Sequence, residues 1–100
     1  MTFATFERDD RLVLQIAGEL DAVTRTDLRA EIERIVRDPR DLDIDMSLVD
    51  MIDSSGVGAL VGLYKRTRAN GGAVRFVGLN AQPLVIFKML RLDVVFGVTH

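Results

Sequence analysis

Cysteine is absent from the 100-residue chain, so a disulfide framework and a thiolate site are both excluded. Histidine occurs once, as the last residue, His100, which deprives any serine or carboxylate chemistry of its usual base. No sign of charge dominates: 13 basic against 15 acidic residues gives a net charge of -2. That balance leaves no electrostatic footprint for nucleic acid or an anionic membrane. The longest apolar run, Val57 to Tyr64, is broken by glycines and is far too short to span a bilayer. The N-terminus lacks a basic segment followed by an apolar one, so no signal peptide is read and a cytoplasmic setting is expected. What remains is ordinary globular material, 48% apolar and 28% charged, and residues 1–100 are expected to form one domain. No internal repeat, linker or low-complexity segment interrupts it.

Alternation of apolar and polar residues predicts a first strand over Phe3 to Glu7, a turn at Asp9-Asp10, and a second strand over Arg11 to Ala17. Leu12, Leu14 and Ile16 share one face of that second strand, with Val13 and Ala17 on the other, which suits a central position. Thr24-Arg25-Thr26-Asp27 reads as a capping box opening a helix. Leu28, Ile32, Ile35 and Val36 form its buried stripe, and Pro39 stops it. On its wet side lie Arg25, Arg29, Glu33 and Arg37, with Glu33 and Arg37 spaced as an i, i+4 pair.

A third strand is expected over Asp41 to Ser47, with Leu42, Ile44 and Met46 inward. Asp41, Asp43 and Asp45 then share one face, about 7 Å apart along an extended backbone, a line rather than a cage for a metal ion. Val57, Leu60, Val61 and Tyr64 fall at i, i+3, i+4 and i+7, the apolar stripe of a helix that Asn70-Gly71-Gly72 ends. Ala73 to Gly78 is a fourth strand. Asn80 is expected to cap a last helix with Pro83 in its first turn and Leu84, Phe87 and Leu90 or Leu92 inward. Val94 to Val98 reads as a short closing strand. Strands separated by helices need crossovers, so the fold class is α/β with a mostly parallel sheet of four to five strands and one antiparallel edge.

The chain is organised around Asp53-Ser54-Ser55-Gly56-Val57-Gly58, where a strand's loop becomes a helix and a serine oxygen is a preferred cap. Ser54, Gly58 and Gly62 recur at i, i+4 and i+8 with Ala59 beside them, a stripe almost without side chains. Either it lets the helix press on a neighbour, or it faces solvent as a docking surface headed by Ser54. A serine nucleophile would need a base, and Asp53 is a poor one from the adjacent position. Gly56, Gly58 and Gly62 mimic a dinucleotide loop, but the spacing is off by one and no acidic residue follows at the required distance. No catalytic residue, metal or cofactor is therefore expected.

The hexapeptide resembles the signature of STAS domains, in particular the bacterial anti-sigma factor antagonists. Gly18-Glu19-Leu20-Asp21, Asp45-Met46-Ser47 and Asn70-Gly71-Gly72 match in order, and the resemblance runs from about Val13 to Phe96. It implies helices packed mainly on one face of the sheet. It also implies a partner, an ATP-binding anti-sigma factor that is a serine kinase, with a serine phosphatase opposing it. The carried-over phosphoacceptor is Ser54. Asp53, Ser54, Ser55, Gly56, Gly58, Ala59 and Gly62 would meet the partner, supported by Asp21 and Asp45. No direct nucleic-acid binding or membrane insertion is implied. Two alternatives stand beside this reading: a STAS subunit held constitutively in a larger sensory or transport assembly, and, more distantly, a serine-dependent enzyme.

Overall fold

The computed structural model describes residues 1–37 and 40–96. β1 (Thr2–Arg8) and β2 (Arg11–Leu20) form an antiparallel hairpin. Its turn residues Asp9 and Asp10 both adopt positive φ, 53° and 65°, a conformation that short polar side chains tolerate. β2 then pairs in parallel with β3 (Leu42–Ile52), and β3 with β4 (Val74–Val77), giving a four-stranded sheet in the order β1-β2-β3-β4. The antiparallel edge and the central β2 are as expected. Crossovers are made by α1 (Arg25–Ile35) and α2 (Ser54–Ala69), while α3 (Ala81–Met89) and the short α4 (Leu92–Val95) follow β4.

One apolar cluster holds these elements together. Leu14, Ile16 and Leu20 of β2, Ile44 and Met46 of β3, Leu28 and Ile32 of α1, Leu60 and Leu63 of α2, and Phe87 of α3 all belong to it. α1, α2 and α3 therefore pack on the same face of the sheet. The opposite face carries a charged cluster beside the buried Val13. There Asp43, only 5% exposed, accepts from Arg75 Nε at 2.8 Å, Arg75 Nη2 at 2.7 Å and Arg11 Nε at 2.6 Å. The Arg75 hydrogen bonds, with Arg11 adding to them against the cost of burial, hold the Asp43 carboxyl below its ordinary value. Asp41 accepts from Ala73 N–H at 3.0 Å, so each carboxylate of the acidic line has its own protein partners.

Several sequence expectations are corrected. β3 continues past Ser47 to Ile52 because its pairing with β2 runs on to Leu20↔Ile52, with irregularities opposite Gln15/Ala17 and Gly18/Glu19. Its inward residues run Leu42, Ile44 and Met46, then Val49 and Ile52, so strict alternation is lost where the extra residues enter. The fully buried residues of α2 are Gly56, Leu60, Leu63 and Thr67, whereas Val57, Val61 and Tyr64 are only half-buried. Pro83 and Phe87 are the buried residues of α3; Leu84 is half-buried and Leu90 exposed. Val94 and Val95, expected in a strand, lie in α4; Val98, like Pro39, lies outside the described residues. The cause is visible at either end of that turn. Arg91 takes φ 57° and breaks the chain away from α3, and the new turn delivers Phe96 onto Phe76, Tyr64 and Phe87. Burying an aromatic ring among three others outweighs the strand preference of two valines.

Candidate functional site

β3 ends and α2 begins at Ile52–Asp53–Ser54, and this junction is tied on two sides. Asp53 N–H donates to Leu20 O of β2 at 3.1 Å. Gln82 of α3 reaches across with its amide, donating to Ile52 O and accepting from Ile52 N–H, each at 2.9 Å. In effect a side chain extends the sheet by one residue where β4 has already ended.

The cap of α2 is Asp53 and not a serine. Asp53 is extended, and its Oδ1 accepts from Gly56 N–H at 3.0 Å while its carbonyl accepts from Val57 N–H at 2.9 Å. Ser54 is thereby the first helical residue, exposed, and its hydroxyl has no hydrogen-bond partner among the described residues. The N–H groups of Ser54 and Ser55 open the helix without intrahelical acceptors. With Asp53's carboxylate turned onto Gly56, no base reaches the Ser54 hydroxyl among the described residues.

Gly56 leaves the expected surface. It is buried, and a Cβ there would sit 2.5 Å from Leu20 O and 2.7 Å from Leu20 Cγ. Its lack of a side chain lets α2 close onto the end of β2. Gly58 and Gly62 are the opposite case: a Cβ at either would meet nothing within 4 Å. Ser54, Ser55, Gly58, Ala59 and Gly62 instead form one wall of a groove of about 500 Å³. Its other wall is α1, through Arg25, Arg29, Ile32 and Glu33. Beyond the groove, toward their C-terminal ends, α1 and α2 are tied together by side chains. Arg66 makes a two-pronged ion pair with Glu33, and Asn70 Nδ2 donates to Val36 O at 2.9 Å. This corrects the expected Glu33–Arg37 pair: the Arg66 hydrogen bond is the chief cause that lowers the Glu33 carboxyl's pKa, with Arg37 and Arg29 contributing only through space.

On its other side Ser54 borders a depression of about 180 Å³ walled by Ile52, Val57, Ile86, Met89 and Leu90. Ser54 thus sits on a ridge between a polar groove and an apolar one. Asp21 shares a third depression with Asp53, along with Glu19, Leu20, Met51 and Ile52. Its Oδ1 accepts from Thr24 N–H and Val23 N–H, both at 2.9 Å. Those bonds, with the Thr24 N–H bond foremost, draw its carboxyl below the ordinary range. Thr24 stands at the cap position of α1, but its hydroxyl donates back to Glu19 O at 2.8 Å instead of capping, so the capping box is not formed.

Asp45 is not brought to this end. It lies on the charged face of the sheet seven positions before Ile52, about 20 Å along the strand. There it accepts from Ser47 N–H at 2.9 Å and Gln15 Nε2 at 3.3 Å. Burial raises its carboxyl's pKa, and the Ser47 and Gln15 hydrogen bonds outweigh that to leave it lowered. Sequence reasoning missed Arg25 and Arg29 as groove residues, since on one helix they look like a solvated face. It also missed Gln82, whose role depends on a contact 30 residues away in the chain.

A mixed four-stranded sheet covered on one face by helices, with a bare serine where the third strand feeds the second helix, defines a small α/β module built around an exposed helix start. The chain belongs to the STAS domain family, whose model matches residues 3–100. It is 30% identical over 96 residues to an anti-sigma-B factor antagonist of Listeria monocytogenes, covering 94% of this chain and 84% of that one. A solved anti-sigma factor antagonist from Mycobacterium paratuberculosis superposes with a TM-score of 0.83 at 26% identity, over 97% of this chain and 83% of the other. The fold also matches the Bacillus cell fate determinant SpoIIAA in its phosphorylated form, with TM-score 0.68 at 22% identity over 98% and 89% of the two chains. No helix among the described residues is long and apolar enough to cross a membrane.

Proposed function

We propose that the chain is an anti-sigma factor antagonist whose unmodified form binds an ATP-using anti-sigma factor kinase in the cytoplasm and so frees a sigma factor. The observation that carries this reading is the Ser54 hydroxyl: exposed, unpartnered among the described residues, and set on the ridge between the two grooves at the first position of α2. The hydroxyl-to-phosphate step is a plain exchange. The kinase moves the γ-phosphoryl group of ATP to Ser54 Oγ, the hydroxyl proton leaves, ADP departs, and a serine phosphatase reverses the change by hydrolysis.

Before modification the docking face is small and hydrogen-bonding, because Gly58 and Gly62 add no bulk to it. Phosphate adds about 1.5 to 2 negative charges and three acceptor oxygens. The helix start tolerates it, since its dipole and free N–H groups favour anions. A partner already fitted to that face meets bulk and charge beside Asp53. A like-charge clash costs several kcal/mol, and about 3 kcal/mol is roughly a hundredfold in affinity. The fold persists while the complex is lost.

The test is incubation with the cognate kinase and ATP, followed by phosphopeptide mass spectrometry and partner titrations of Ser54→Ala and Ser54→Asp. One phosphate on Ser54 is expected, with Ser54→Ala binding normally and Ser54→Asp binding more weakly. Phosphate on Ser55 would move the acceptor by one residue. Equal affinity of the two variants would replace the switch with constitutive membership of a larger assembly.

A further inference from the structure

The α1 wall of the polar groove carries Arg25 and Arg29 on successive turns, facing the serine wall across open space. Among the described residues neither arginine has a salt-bridge partner, in contrast to Arg11, Arg34, Arg40, Arg66 and Arg75. The one carboxylate lining the groove, Glu33, is held by Arg66 in a two-pronged pair. The groove therefore has cations to spare at the end where Ser54 lies.

Helix geometry sets the reach. From the Glu33–Arg66 bridge, Arg25 is about two turns back along α1 and Ser54 about three turns back along α2. The offset between them is about one turn, or 5.4 Å. Helical side chains tilt toward their own N-terminus, which is the direction of Ser54. The Arg25 stem spans that offset, and its planar fork matches a phosphate's paired oxygens, whereas Arg29 lies about two turns from the level of Ser54 and acts through space.

We propose that Arg25, with Arg29 adding positive charge from one turn deeper in the groove, forms an internal receptor for phosphate on Ser54, so that modification closes the α1–α2 groove with the chain's own phosphoserine. This rests on Ser54 being the acceptor and specifies what the phosphate does once attached. The switch then acts by occupation as well as by charge. The groove is filled, and the arginine charge that could meet a partner's carboxylates is taken.

The experiment does not depend on a kinase. The 100-residue chain carrying genetically encoded phosphoserine at position 54 is titrated by ³¹P NMR, with and without Arg25→Gln/Arg29→Gln. An ordinary phosphoserine has its second pKa near 6; the helix start acts on it equally in both proteins, so their difference reports the arginines. The arginine-bearing protein is expected to titrate about half a unit or more below the double variant, as for an anion beside an opposite charge. Arg25→Lys/Arg29→Lys is expected to recover part of that shift. Equal pKa values in two folded proteins overturn the receptor and leave the acceptor assignment standing. A kinase that phosphorylates another residue would overturn the acceptor and not this result. Should the double variant fail to fold, the Nε–H resonances of Arg25 and Arg29 in the unaltered chain, compared with and without phosphate, decide the matter, and unmoved resonances overturn the proposal.

Discussion

Alanine at Gly56 and alanine at Gly58 are expected to move stability in opposite directions, although the two positions are only two residues apart on α2. At Gly58 a new Cβ meets nothing within 4 Å, so the change acts through the backbone alone. Alanine in place of an exposed helical glycine is worth about 0.5–1 kcal/mol. For a domain of this size that raises Tm by about 2–8 °C. At Gly56 the Cβ would lie 2.5 Å from Leu20 O, a backbone atom bound into the sheet that cannot swing aside. Overpacking of this kind costs about 1–3 kcal/mol, which exceeds a propensity gain of under about 1 kcal/mol. Thermal unfolding followed by circular dichroism reads both variants. A fall in Tm for Gly58→Ala would refute the reasoning, because it would mean that face is covered in the free protein. Gly58→Leu extends the test to binding. It is expected to keep or raise its Tm relative to the unaltered chain while weakening partner binding at least about tenfold, or about 1.4 kcal/mol. A loss of several degrees instead would return the glycine stripe to a packing role.

Asp53→Ala is expected to cost about 1 kcal/mol in urea unfolding through loss of the helix cap, and Ser54→Ala less than about 0.5 kcal/mol; equal losses would contradict the assignment of Asp53 as cap. Asp43→Asn is expected to destabilise the domain by about 1.5–3 kcal/mol at neutral pH, the range for hydrogen bonds to a charged group. Because the Asp43 pKa is lowered in the fold, its contribution is complete above the unfolded value near 4 and is lost as pH falls through the lower folded value. Acid unfolding monitored from pH 6 downward should therefore be shallower in Asp43→Asn, and an unchanged acid limb would argue against the Arg11–Asp43–Arg75 cluster as its source.

The hairpin, the central β2, the parallel crossovers and the serine-bearing start of α2 were all legible in the sequence, because each has a local signature of period, turn residue or cap. The misreadings share a cause, which is dependence on distant contacts. Asp53, Ser54 and Ser55 are all good cap residues, and what selects Asp53 is its N–H bond to Leu20 O in another strand. Glu33 has a suitable partner four residues on in Arg37, yet it takes Arg66 from the neighbouring helix. The later half of β3 lost its alternation to irregular pairing with β2, which no single-strand pattern reveals. Val94 and Val95 looked like a strand because the decisive residue, Phe96, answers to Tyr64, Phe76 and Phe87. At the site, the glycine stripe was visible as a stripe, but whether it was covered was not, since that is a property of where α1 lies.

The Gln82 amide that grips Ile52 from α3 has a consequence for what can recognise Ser54. Most linear-motif readers thread their target as a pliable extended ribbon and check the residues on either side. Here the residue two before the hydroxyl is fastened by its N–H and its carbonyl, the next is sewn to β2, and those after it are wound into a helix. Threading would require both fastenings to be undone and the first turn of α2 to be unwound. An enzyme acting on Ser54 as proposed would therefore have to read a solid shape, accepting the blunt nose of a helix with its flanking grooves, and a free peptide of the same letters would present it with the wrong object.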